Sequence, residues 1–156
     1  MSRIEYYNDP SAPAPNSIVA AATAFVLNER DQVLLIQRSD NGLWSIPGGG
    51  QDFGEFIAQT AVRETFEETG VEIRITGLVG IYTDPQHVMA YSDGEVRQQF
   101  SICLRGVPTG GVLHTSLESP SVRWVARDDL DSLEIHPSIR LRIDHGYARR
   151  AEPYIG

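Results

Sequence analysis

The chain has 156 residues, 41% hydrophobic and 8% aromatic, enough for one compact core and too apolar for a disordered or fibrous protein. With 21 acidic against 13 basic side chains the formal charge is -8, a field that repels nucleic-acid polymers and anionic lipid surfaces. Cys103 is the single cysteine, which excludes an internal disulfide and a zinc site built from several thiolates.

Residues 1–17 carry Pro10, Pro13 and Pro15 among small polar residues and are expected to form an extended, poorly packed arm. They lack the basic-then-apolar order of a secretory signal, and no stretch of the chain is apolar enough to span a bilayer, so a cytoplasmic protein is expected. Residues 18–148 form the main domain and 149–156 a tail. Within the domain, the apolar runs 18–27 and 33–36 flank a polar turn and predict a hairpin. Gly42, Pro47 and the glycines 48–50 then mark a loop whose backbone comes close to something. A helix follows from about Glu55 to Thr69, with a narrow stripe of Ala58, Ala61, Val62 and Thr65 and Gly70 as its left-handed cap. Strands are predicted at 71–82, 96–104 and 121–126, with a polar connection at 83–95 containing an Asp93-Gly94 turn. A last helix starts near His136-Pro137, with Ile139, Ile143 and Tyr147 along one face. This order predicts an α+β domain, a mixed sheet packed between helices.

On the central helix Glu64, Glu67 and Glu68 stand at i, i+3 and i+4, so three carboxylates emerge side by side. Such a cluster is either frayed into solvent or organised by a hard divalent cation, and all-oxygen ligands favour Mg2+ or Mn2+ over zinc. The preceding glycine loop, Arg63 at i−4 to Glu67 and the Gly70 cap are features that a solvated acidic face would not require.

Residues 49–71, GGQDFGEFIAQTAVRETFEETGV, resemble the signature of the Nudix hydrolases (MutT-like), Gx5Ex7REUxEExGU with U aliphatic. Gly49, Glu55, Arg63, Glu64, Glu67, Glu68, Gly70 and Val71 match, and Thr65 departs from it where a bulkier aliphatic is usual. The preceding VLLIQRSDNGLWSIPGG is also similar to the family's approach to the motif. The resemblance implies an α/β/α sandwich and Mg2+-dependent hydrolysis of a diphosphate bond in a nucleoside diphosphate joined to another moiety. It implies metal binding by Glu67 and Glu68, metal binding or water activation by Glu64, a carbonyl from Gly49, and shape-holding roles for Glu55, Arg63 and Gly70. Glu118, before the Trp124 strand, matches the family's further acidic residue and is a candidate metal ligand or base.

Outside the motif, Arg38 is a candidate for bidentate contact with a phosphate, and Arg97 and Phe100 for phosphate contact and base stacking. Tyr82, Asp84, His87 and Tyr91 are specificity candidates. The four histidines show no spacing suited to a metal site, and Cys103 reads as a buried thiol. The expected substrate is a small nucleotide, first a nucleoside triphosphate or oxidised nucleotide. ADP-ribose or a nucleotide sugar is the alternative, and a ligand-sensing module without catalysis the reading from another class. A homodimer remains open.

Overall fold

The computed structural model describes residues 3–156. In chain order the elements are β1 (Arg3–Tyr7), β2 (Ser17–Ile18), β3 (Ala21–Val26), β4 (Val33–Gln37), β5 (Trp44–Ser45), β6 (Gly48–Gly50), α1 (Ile57–Thr69), β7 (Val71–Tyr82), β8 (His87–Tyr91), β9 (Val96–Gln98), β10 (Ser101–Gly111), β11 (Ser121–Val125), a 3-10 helix (Arg127–Ser132), α2 (Pro137–Ala148) and β12 (Tyr154–Ile155). A mixed five-stranded sheet runs β12-β7-β10-β3-β6, with β10 parallel to β3 and antiparallel to β7. A three-stranded sheet β11-β4-β5 and a four-stranded sheet β1-β8-β9-β2 flank it.

The period of two along β3 explains how two helices share one sheet. Ala22, Ala24 and Val26 join Ala61 of α1 in one buried cluster, whereas Phe25 joins Ile143 of α2 in the other. Small residues on both partners let α1 lie close to the sheet, as its narrow stripe predicts. On the α2 side, Gly146 sits against the Phe25 ring and Tyr147 meets it edge-on at 5.2 Å between centroids. Each large side chain buried in these clusters is worth about 2 kcal/mol relative to exposure. The layering is the α+β, α/β/α sandwich expected. Among the described residues no helix is long and apolar enough to cross a membrane.

Four expectations change. The runs expected as one hairpin are joined only by the Leu27–Val33 bridge, since β3 pairs with β10 and β6 while β4 pairs with β11 and β5. Residues 3–7, part of the supposed loose arm, form β1 along β8, and Tyr7 packs edge-on against His87 and His136. The connection at 83–95 contains β8, which turns at Asp93-Gly94 into β9; Gly94 has φ 94 there. Within the tail, Tyr154–Ile155 pairs in parallel with β7. In all four, distant pairing decided a conformation that local composition left open.

Candidate active site

The glycine loop reaches α1 by close backbone approach. A β-carbon on Gly48 would overlap the Ala22 carbonyl and crowd Thr23 in β3, and one on Gly49 would stand 2.5 Å from Glu64 Oε1. The Gly48 N–H donates to Glu68 Oε1 at 2.8 Å. At the other end of α1, Gly70 takes the left-handed cap with φ 77. Thr65 is fully buried and its hydroxyl donates to the Ala61 carbonyl at 2.7 Å, so its departure from the aliphatic pattern leaves no unpaired polar atom.

Arg63 organises the acids. Its Nε and Nη2 grip the two oxygens of Glu55 at 2.7 and 3.0 Å, Nη2 also reaches the Gly50 carbonyl, and Nη1 donates to Glu64 at 2.9 Å and Glu67 at 3.2 Å. The Arg63 hydrogen bond holds the Glu55 carboxyl at about 2. The three carboxylates do not share one environment, as helical spacing alone suggested. Glu67 is 54% exposed at its side chain, Glu64 only 16%, and Glu68 is 6% exposed as a residue. Burial pushes Glu68 up to about 8 against the lowering effect of the Gly48 N–H, and burial also raises Glu64.

Glu118 is exposed on a loop fastened at two points: the Ser119 hydroxyl donates to the Glu68 carbonyl at 2.8 Å, and the Ser39 N–H donates to the Glu118 carbonyl. Its charge is felt by both Glu64 and Glu68. Glu64, Glu68, Glu118, Gly49, Arg38, Arg97 and Phe100 all line a single cleft of about 600 Å³. That volume suits a nucleotide-sized molecule.

The two arginines expected to reach phosphate present a different geometry. The bidentate edge of Arg38 is taken by Asp40 at 2.9 and 2.8 Å, and that of Arg97 by Glu95 at 3.0 and 2.8 Å while Arg97 lies over the Tyr91 ring. Both arginines therefore face the cleft with their forks engaged. Cys103 is fully buried, with burial raising its thiol, as expected for a packing residue. Tyr82 is buried too, donating to or accepting from His145 Nδ1 at 2.9 Å, and is not an element of the cleft wall.

Sequence spacing missed one cluster. Glu5, His87 and His136 come from β1, β8 and the cap of α2, yet their ligand atoms lie within 4.8 Å of one another in the same cleft. The absence of metal-site spacing among the histidines gave no sign of this group, because residues so far apart in sequence leave no local pattern to read. His136 Nδ1 accepts the Ser138 N–H, so in the neutral ring Nε2 carries the proton and faces Glu5 as a donor. With Arg3 also beside Glu5, the cluster is a hydrogen-bonded carboxylate in a cationic setting. Arg142 was missed as well. It falls among Ile139, Ile143 and Gly146 on the inner face of α2, so an arginine at i+3 from Ile139 was the available signal.

Comparisons with known proteins agree with this geometry. A family model described as NUDIX domain matches residues 18–145. A MutT-like protein of Streptomyces ambofaciens is 31% identical over 126 residues, covering 80% of this chain and 75% of that protein. The human 8-oxo-dGDP phosphatase NUDT18 is 31% identical, but this chain spans only 41% of its length while 85% of this chain is covered. The crystal structure of an ADP-ribose pyrophosphatase from Streptococcus suis superposes with a TM-score of 0.69 at 20% identity, covering 90% of this chain and all of that one. The chain belongs to the Nudix hydrolase family. Hydrolases of this family act on nucleotide substrates and generally use a divalent metal.

Proposed function

We propose that this chain hydrolyses a diphosphate bond within a small nucleotide, with Glu64, Glu67 and Glu68 holding Mg2+, or Mn2+ in its place. The observation that carries the reading is Glu68: a buried carboxylate without an ion pair among the described residues, beside half-buried Glu64, pushed up to about 8 by burial against the opposing pull of the Gly48 N–H and the Arg38 charge. Carboxylate and backbone oxygens are the hard donors those ions take, so the residues fit the group. A bound ion of this kind neutralises charge growing on phosphoryl oxygens and acidifies a water.

The chain's own residues do the rest. Gly48 fixes one oxygen of Glu68 through its N–H, leaving the other free for a ligand. Arg63 holds Glu64 and Glu67 in register while Glu55 restrains Arg63. Glu118 is the proton acceptor from water in this reading, a role supported by its exposed side chain and by its charge acting on Glu64 and Glu68. Phe100 offers a ring for stacking on the cleft wall.

Nucleoside triphosphates and oxidised nucleotides are the first substrate class, supported by the likeness to a MutT-like protein and to an 8-oxo-dGDP phosphatase. ADP-ribose or a nucleotide sugar is the second, supported by the fold's likeness to an ADP-ribose pyrophosphatase. A sensing module without catalysis is disfavoured by the intact glutamate set. A panel of nucleoside triphosphates, oxidised nucleotides, ADP-ribose and nucleotide sugars, with Mg2+ and with product masses read, tests this. Cleavage of the diphosphate bond in at least one is expected, and intact substrates throughout would overturn the reading.

A further inference from the structure

Arg142 lies on α2 one turn after Ser138, and both line the cleft. It is 3% exposed, and its Nε and Nη2 have no hydrogen-bond partner. Those two nitrogens form the edge that grips both oxygens of a carboxylate. Arg38, Arg63 and Arg97 use that same edge on Asp40, Glu55 and Glu95. Arg142 alone of these four has its fork unmatched. Among the described residues no carboxylate lies in ion-pair range of it, and the Tyr82 ring, 4.8 Å from the guanidinium carbon, supplies only a quadrupole.

The surroundings select the sign of the missing partner. Glu5 is engaged by His87, with His136 and Arg3 beside it; its charge reaches Arg142, but neither of its oxygens enters the Arg142 fork. A second cation is disfavoured on a wall holding Arg3 and Arg142. The first turn of α2 adds its partial positive charge to the same wall. Arg38, on the same cleft, feels the charge of both Glu68 and Glu5.

We propose that Arg142 receives a second anionic group of the substrate, a phosphoryl or a carboxylate, on the α2 wall of the cleft. The proposal rests on the reading of the cleft as a nucleotide site and deepens it. The substrate then bears negative charge at two places, one facing the carboxylate-bound cation and one facing a planar guanidinium. Lysine would keep the charge but lose the fork.

The test uses the full chain in EDTA, so no metal contributes. Inorganic phosphate and acetate are titrated at constant ionic strength while thermal melting is followed. Wild type is expected to be stabilised by one or both anions, and Arg142→Met to show no shift. Phosphate alone identifies a phosphoryl subsite, and both anions a site indifferent to the source. No shift of wild type, or an equal shift of Arg142→Met, would overturn the proposal. Should Arg142→Met fail to fold, Arg142→Lys is expected to need at least tenfold more anion for half-saturation, and an unchanged requirement would count against it. Because this readout involves no turnover, anion binding with no Mg2+-dependent cleavage would sink the enzymatic reading while leaving the anion subsite standing.

Discussion

The Gly48 N–H donates to Glu68 Oε1 at 2.8 Å, which joins the glycine loop to the buried carboxylate of α1. Gly48 is itself pressed against β3, so sheet, loop and carboxylate form one unit. The adjacent glycine is constrained differently, because its nearest neighbour is the far end of the Glu64 side chain.

These two constraints separate in mutants. Gly48→Ala forces backbone apart and is expected to cost about 3 kcal/mol in urea denaturation. Gly49→Ala meets a carboxylate that can swing away, so stability should fall by less than about 1 kcal/mol while turnover drops by at least about tenfold. Equal losses of stability in the two variants would contradict this division.

Arg63 holds Glu55, Glu64 and Glu67 together through a planar fork and a third nitrogen. Lysine cannot reproduce that geometry. Arg63→Lys should lower metal-dependent turnover by about 10- to 100-fold, the usual effect of disturbing groups that orient ligands. Titrating the metal in the assay checks the origin, since half-saturation is expected to shift to higher concentration.

Glu118→Gln should reduce turnover by about a hundredfold with little change in KM if Glu118 accepts a proton from water. Steady-state kinetics decide, and a wild-type rate would remove Glu118 from the chemistry.

The acid limb of stability reports on Glu5. Burial alone would raise its carboxyl, but the hydrogen bond with His87 and the nearby His136 and Arg3 hold it at about 2, below the ordinary 4.5. A folded-state value below the unfolded one means that the charged carboxylate stabilises the fold fully above pH 4.5. That contribution, on the order of 3 kcal/mol, is lost as pH falls from 4.5 through about 2. Melting measured across this range should fall less steeply for Glu5→Gln than for wild type, and parallel curves would show that Glu5 is not the group responsible.

The sequence made α1 and its acids legible because local signals agreed there: glycines before the helix, carboxylates at helical spacing and Gly70 after it. Composition could not distinguish β1 and β8 from loops, since β1 is a strand only through pairing with β8 across at least 80 residues of chain, and β8 sits between β1 and β9. The same distance hid Glu5, His87 and His136 as a cluster. Helical spacing also overstated the likeness of Glu64, Glu67 and Glu68, because how deep each sits depends on the loop and sheet packed over it. Arg38 and Arg97 were found as cleft residues, but the acids two positions away that fill their forks required side-chain geometry to see.

The proposal stands on Glu64, Glu67 and Glu68 of α1 holding a divalent cation, with buried Glu68 at its centre. Mn2+ binding followed by electron paramagnetic resonance on wild type and Glu68→Gln tests it most directly. The glutamine keeps an oxygen for the Gly48 N–H, so the fold should persist. Wild type is expected to bind Mn2+, with Mg2+ competing, and Glu68→Gln to bind at least tenfold more weakly with turnover reduced by more than about a hundredfold. Equal Mn2+ affinity in a folded Glu68→Gln protein would contradict the assignment.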